Sequence, residues 1–160
     1  LIAYNRSKFA GITPYAGTGK TLRKLKRLGL NLAIVSDGLR NKAWQRLLLA
    51  GLEDRFEAVV TRDDTGELKP HRAPFELALE RLKAKPQNVM MVGDTIDGDM
   101  YGAQQLGMRA CHAAFGAKDR KENEAKGGLV RVERRVVLVK PDFVINKLRE
   151  LPPLAAGLMK

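Results

Sequence analysis

The sequence predicts an α/β protein built on a Rossmann-like, doubly wound parallel sheet with helices on both faces. Two observations carry this. Short apolar runs (LNLAIV at 30–35, FEAVVT at 56–61, NVMMV at 88–92, MRACHA at 108–113) alternate with amphipathic segments of helical period. Several of these runs end in Ser, Gly or Asp, residues that break a strand and open the next helix. Apolar residues at consecutive positions suit strands covered on both faces. In such sheets ligands bind at the carboxyl ends of the strands.

The elements follow in order. Leu1 to Phe9 read as weakly helical, and Pro14 and Gly17 mark a turn. Thr18 to Leu28 is expected to be a helix with Leu22, Leu25 and Leu28 inward and Lys20, Arg23, Lys24, Lys26 and Arg27 in solvent. Gly29 closes it, and Leu30 to Val35 is a buried strand broken by Ser36-Asp37-Gly38. Asn41 to Ala50 is the next helix, with Trp44, Leu47 and Leu48 inward and Trp44 as a packing anchor. Phe56 to Thr61 is strand-like, and in the polar loop after it Asp63 and Asp64 read as turn residues. Pro70 to Lys83 is helical, with Phe75, Leu77, Ala78 and Leu82 toward the core and Pro74 in the tolerant first turn. The strand at Asn88 to Val92 comes next. Asp97 or Gly98 then opens a helix through Leu106, ended by Gly107, and Met108 to Ala113 is a further strand. The charged stretch at 117–128 reads as a surface loop. Leu129 to Val139 alternates in part, as an irregular strand or hairpin would. Phe143 to Ile145 is the last strand, and Asn146 to Leu151 a final helical turn stopped by Pro152-Pro153.

Composition narrows the function classes. A chain of 160 residues suits one domain with a real core, and 44% hydrophobic with 29% charged residues suits a soluble globular protein. No apolar run approaches spanning length, so no membrane partner is expected. Nor does the start read as a secretory signal; the absence of an opening Met suggests processing or truncation. A single cysteine, Cys111, excludes an internal disulfide, fits a reducing cytoplasm and reads as a structural residue. The net charge of +11 permits polyanion binding, yet there are no interleaved aromatics, zinc spacings or RNP-like motifs. Anionic small substrates are therefore favoured over nucleic acid.

Asp94, Asp97 and Asp99 crowd one loop directly after the strand at 88–92. Crowded carboxylates repel unless a cation lies among them, and short oxygen ligands on a loop suit Mg²⁺. The plainer alternative is a solvated turn whose aspartate caps the next helix. Ser36 supplies a hydroxyl, the Asp37-Gly38 turn supplies backbone N–H groups, and Lys69 supplies a positive charge before a helix-opening proline. A cation, an ammonium and N–H donors at one place suit a phosphoryl group, whose charge must be neutralised during transfer.

VSDG at 35–38, KPHRAPFELAL at 69–79 and VGDTIDGD at 92–99 resemble the second, third and fourth motifs of the haloacid dehalogenase (HAD) superfamily. The text from Thr13 to Gly38 resembles its phosphatase-type branch with a helical cap, of a kind familiar from archaea. The resemblance implies Mg²⁺-dependent hydrolysis of a small phosphorylated metabolite. By position, Ser36 would hydrogen-bond the phosphoryl oxygens within the Ser36-Asp37-Gly38 turn, and Lys69 would steady nucleophile and phosphate. Asp94 would ligate Mg²⁺, and Asp99 would support the metal or its waters; Asp97 takes no role. The family's DxDxT-type first motif, which carries the nucleophile, does not occur in this sequence. The expected arrangement is thus a cap remnant at 1–13 and a core at 14–160 lacking the motif-I strand. That strand would lie between those bearing Ser36 and Asp94, so these two must pair directly or leave an open slot. The whole parent would form and hydrolyse an aspartyl-phosphate, while this chain alone is expected to be inactive. The alternative is an inactive phosphate-, Mg²⁺- or partner-binding protein, with a homo-oligomer or a complementing chain as its partner.

Overall fold

The computed structural model describes residues 13–116, 128–132 and 135–159. The expected cap remnant, apart from Thr13, lies outside them, as does nearly all of the charged loop at 117–128. The described elements are α1 (Thr18–Arg27), β1 (Ala33–Val35), α2 (Arg40–Ala50), β2 (Ala58–Val60), α3 (Arg62–Thr65), α4 (Arg72–Leu82), β3 (Met90–Gly93), a π-helical turn (Ile96–Met100), α5 (Tyr101–Gln104), β4 (Arg109–Ala113), β5 (Gly128–Val132), β6 (Arg135–Val139), β7 (Phe143–Ile145) and α6 (Leu151–Gly157).

The parallel core falls into two parts. β1 pairs with β2, Ala33 opposite Ala58 and Val35 opposite Val60. β3 pairs with β4, Met90 opposite Arg109 and Gly93 opposite His112, and β4 pairs with β7, Cys111 opposite Phe143. The stretch at 129–139 is an antiparallel hairpin, β5 against β6. Alternation along the strands builds two cores. Met90, Val92, Cys111 and Ala113 face α1 and α6, where they meet Leu22, Leu25, Leu151 and Ala155. Val89 and Met91 face the other way, onto Phe75 and Leu79 of α4 and onto Ala103 and Met108. The hairpin adds Val130 and Val139, which pack with Met100 and Ala110. Helices on both faces of parallel strands are the predicted doubly wound arrangement.

Of the two alternatives, direct pairing of β1 with β3 or an open slot, the described residues show no direct pairing: among them β1 bonds to β2 and β3 to β4. This corrects the reading of both as buried strands. β1 and β3 are half-buried throughout, whereas β4, flanked on both sides, is buried from Ala110 to Ala113. Among the described residues β4 has a strand on each side while β1 and β3 have one each, and the burial follows that difference.

Other expectations change for local reasons. In α2 the buried residues are Ala43 and Leu47, while Trp44 is 39% and Leu48 58% exposed, so Trp44 is no packing anchor. Three successive leucines and a tryptophan gave that helix several equivalent apolar faces, and the structure buries the one through Leu47. In α4, Leu79 is buried and Leu77 only half so. Asp63 and Asp64 belong to the one-turn helix α3 rather than a loop, held by a capping box with Thr61. Pro152 and Pro153 open α6 instead of stopping a helix, because an N-terminal turn has no use for the missing N–H.

Cys111 lies fully buried in β4, and burial pushes its thiol up to about 11. With so little thiolate present near neutral pH, an aromatic disulfide reagent should leave it untouched in the folded chain and label it only after urea unfolding. Rapid labelling of folded protein would contradict the buried placement.

Candidate active site

The polar residues singled out by sequence gather at the carboxyl ends of β1 and β3, where the backbone leaves each strand. Directly after β1, Ser36 Oγ accepts the Gly38 N–H at 3.1 Å, closing the Ser36-Asp37-Gly38 turn on itself. The Gly38 amide is thus already engaged, leaving the Ser36 hydroxyl hydrogen and the Asp37 N–H, which makes no hydrogen bond among the described residues, as the donors this turn offers. Asp37 Oδ1 accepts the backbone N–H of Lys69 at 2.9 Å. The Asp37 carboxylate therefore ties one loop to the next, while the anion role expected of this residue falls to its backbone N–H.

Lys69 is the bridge. Its Nζ donates to Asp99 Oδ1 at 2.6 Å and to the Val35 carbonyl at 3.3 Å. One side chain thereby joins the end of β1 to the π-helical turn after β3. Both partners of the ion pair are shielded, 13% exposed for Lys69 and 3% for Asp99. The second Asp99 oxygen is equally committed: Oδ2 accepts from Asp94 N and Thr95 N, each at 3.1 Å, and from Thr95 Oγ1 at 2.9 Å. Thr95 in return accepts the Asp99 N–H at 3.1 Å, so it caps the turn. Gly93 is required by space: a Cβ there would fall 2.3 Å from Asp99 Cγ and Oδ2.

Asp94 differs from Asp99. Its carboxylate makes no hydrogen bond or ion pair among the described residues, and Gly116 lies against it, where a Cβ would come within 3.3 Å of Oδ2. A hard cation would find an unshared protein oxygen here, whereas both Asp99 oxygens already accept hydrogen bonds, Oδ1 from Lys69 and Oδ2 from Asp94 and Thr95. No group of three or more His, Cys, Asp or Glu side chains gathers among the described residues. One carboxylate completed by water and substrate oxygens nevertheless suits Mg²⁺, which keeps much of its hydration. Among the described residues Asp97 accepts only the next residue's N–H, from Gly98 at 2.9 Å, and stays exposed.

Two participants went unread in the sequence. Thr95 could have been found from its spacing, four residues before Asp99 and at a cap position. Gly116 gave no signal beyond being a glycine after a strand.

Beside this site Asp64 forms a second hub. Arg81 reaches Oδ1 at 2.8 Å and Arg40 at 3.0 Å, while Thr61 donates its N–H and hydroxyl to Oδ2 at 2.8 and 2.7 Å. Burial alone would raise this carboxyl, but the Arg81 and Thr61 hydrogen bonds and the Arg81 charge outweigh it and hold the group well below the ordinary carboxylate range. A depressed folded-state value means stability that is fully present above the unfolded value and lost as pH falls. Stability should therefore decline below about pH 4 as the unfolded chain takes up the proton first. Asp64→Asn should flatten that acid limb in urea melts across the same range; an unchanged limb would contradict the assignment.

Parallel strands between helical layers, with polar side chains gathered at the strands' carboxyl ends, define a doubly wound α/β protein, a class in which ligands bind at those ends. A model of the family described as haloacid dehalogenase-like hydrolase matches residues 1–113. The chain belongs to that family. It is 34% identical to glyceraldehyde 3-phosphate phosphatase of Methanocaldococcus jannaschii over 161 aligned positions, covering 100% of this chain and 64% of the relative. Pyrophosphatase PpaX of Bacillus cereus is 33% identical over 147 positions, covering 92% of this chain and 62% of the relative. A crystal structure of a HAD phosphatase from Thermococcus onnurineus superposes with a TM-score of 0.73 at 34% identity, covering 89% of this chain and 58% of that one. The chain thus spans less than two thirds of the length of each of these three proteins.

Proposed function

We propose that this chain forms the phosphate- and magnesium-binding part of a phosphohydrolase acting on small phosphate monoesters in the cytoplasm. The observation that carries the reading is Lys69, which binds the end of β1 and Asp99 at once and leaves Asp94 unbonded beside the pair. The names of the relatives, phosphatases and a pyrophosphatase, agree with it. A family enzyme of this type attacks phosphorus with an aspartate oxygen; the P–O ester bond breaks and the alcohol leaves with a proton. Water then cleaves the aspartyl-phosphate, releasing phosphate and restoring the carboxylate.

In this scheme the Ser36 hydroxyl donates to a phosphoryl oxygen, and the Lys69 ammonium faces the negative charge that gathers during transfer. Asp94 would hold Mg²⁺, which neutralises phosphate charge when bound. Asp99 acts through Lys69 and the Asp94 backbone as a positioning residue. The division of the chain into a cap remnant at 1–13 and a core at 14–160 belongs to the same proposal, as does placing the nucleophile outside these 160 residues.

The test is a p-nitrophenyl phosphate assay with Mg²⁺ on this chain. No turnover above background is expected, while inorganic phosphate still binds and Ser36→Ala weakens that binding. Asp94-dependent hydrolysis by this chain alone would overturn the placement of the nucleophile. Failure to bind phosphate would overturn the phosphatase reading itself.

A further inference from the structure

Asp94 and Asp99 are held in different ways. Hydrogen bonds on both oxygens fix the Asp99 carboxylate. The Asp94 carboxylate makes none among the described residues, so packing is left to set its direction. The turn after β4 lies against it. A Cβ at Gly116 would meet Asp94 Cβ at 3.1 Å and Oδ2 at 3.3 Å. Backbone this close restricts the rotation of the aspartate side chain. The place of the turn therefore decides where the Asp94 oxygens point.

Three contacts pin the turn. Ala114 N–H bonds to the Ile145 carbonyl at 3.0 Å, and Gly116 N–H bonds to the Ala113 carbonyl at 2.9 Å. Between them Phe115 packs on the core around Leu25 and Cys111. Its ring also meets the Tyr15 ring in a T-shape, with centroids 4.9 Å and planes 85° apart. That is a favoured geometry for an aromatic pair. Tyr15 is itself anchored: its carbonyl accepts the Thr18 N–H at 3.0 Å and the Thr18 hydroxyl at 2.6 Å, at the first residue of α1. Yet Tyr15 is 57% exposed, so its own burial does not account for it.

We propose, resting on the reading of Asp94 as the oxygen that holds Mg²⁺, that Tyr15 is a positioning residue for the divalent cation. Its ring holds Phe115, and through Phe115 the Gly116 backbone, against Asp94. The carboxylate is thereby aimed before a cation arrives. Such preorganisation raises affinity by removing an ordering cost from the binding step. It matters most where one protein oxygen serves the ion, since no second ligand compensates for a misdirected one. The ring makes the contact, while the Tyr15 hydroxyl has no hydrogen bond among the described residues.

The test compares the wild-type chain with Tyr15→Ala and Tyr15→Phe. Each is titrated with Mg²⁺ in the presence of inorganic phosphate, following backbone amides by NMR, and Gly116 amide exchange is measured without metal. Tyr15→Ala is expected to weaken Mg²⁺ binding about three- to tenfold, the scale of an aromatic pair. Gly116 exchange should quicken by about the same factor, because opening the turn breaks its bond to Ala113. Phosphate affinity measured without Mg²⁺ should stay within about twofold, since Ser36 and Lys69 stand on other loops. Tyr15→Phe should restore the wild-type values. In a Phe115→Leu background, Tyr15→Ala should cost nothing further at the metal. Equal Mg²⁺ affinity in wild type and Tyr15→Ala would overturn the proposal and leave the reading of Asp94 standing. So would a Tyr15→Phe chain as weak as Tyr15→Ala, which would make the hydroxyl the active group. An equal loss of Mg²⁺ and phosphate binding would overturn it too, as general loosening. A wild-type chain that binds no Mg²⁺ would instead bring down the reading of Asp94, and the proposal with it.

Discussion

Lys69→Met is expected to destabilise the chain by about 3–5 kcal/mol, the usual cost of removing one partner from a buried ion pair. The pair is shielded on both sides, 13% and 3% exposed, so water cannot replace the ammonium at Asp99. Three further hydrogen bonds from Asp94 and Thr95 would remain on Asp99, which argues for the lower end of that range. The cost should come from the orphaned charge and not from lost packing, since methionine keeps most of the lysine's apolar stem. Lys69→Met combined with Asp99→Asn should therefore recover much of the loss. Urea melts of both variants check this. A single-variant loss below about 1 kcal/mol would place the pair among surface ion pairs and contradict its burial.

Gly93→Ala is expected to be comparably severe, near 3 kcal/mol or more, because overpacking and lost hydrogen bonds act together. The added methyl would need the space of the Asp99 carboxylate, 2.3 Å away. Moving that carboxylate breaks its bonds to Lys69, Asp94 and Thr95 at one stroke. The obstacle is a side chain, so it can be removed: in an Asp99→Gly background the same substitution should cost far less. A double-mutant cycle measures the coupling. Equal costs in both backgrounds would show that Gly93 is needed for its backbone alone.

Much of this was legible before any coordinates. The order of strands and helices followed from apolar runs punctuated by Gly, Ser and Asp. Ser36, Lys69 and Asp94 could be placed on loops at one end of the sheet because parallel topology sends every such loop the same way. The absence of a DxDxT motif left two arrangements open, direct pairing of the strands bearing Ser36 and Asp94 or a slot between them, and only coordinates choose between these. Exposure was not legible, since LNLAIV and NVMMV read as buried whether or not a neighbour exists. Trp44 misled because a tryptophan's size argues for burial, while helix rotation chose the face through Ala43 and Leu47. The roles of Asp94 and Asp99 also separate only in three dimensions. Both are aspartates on one loop, but the Asp99 carboxylate is bonded to Lys69 and Thr95 while the Asp94 carboxylate makes no hydrogen bond among the described residues.

The central claim is that Ser36, Lys69 and Asp94 serve one phosphate and one magnesium ion in common. Titrating the folded chain with Mg²⁺ and inorganic phosphate, while following backbone amides by NMR, tests it most directly. Each ligand should shift Ser36, Lys69 and Asp94 together and tighten the binding of the other, and Asp94→Asn should remove the Mg²⁺ response. Shifts in unconnected regions, or a Mg²⁺ response indifferent to Asp94→Asn, would contradict the shared site.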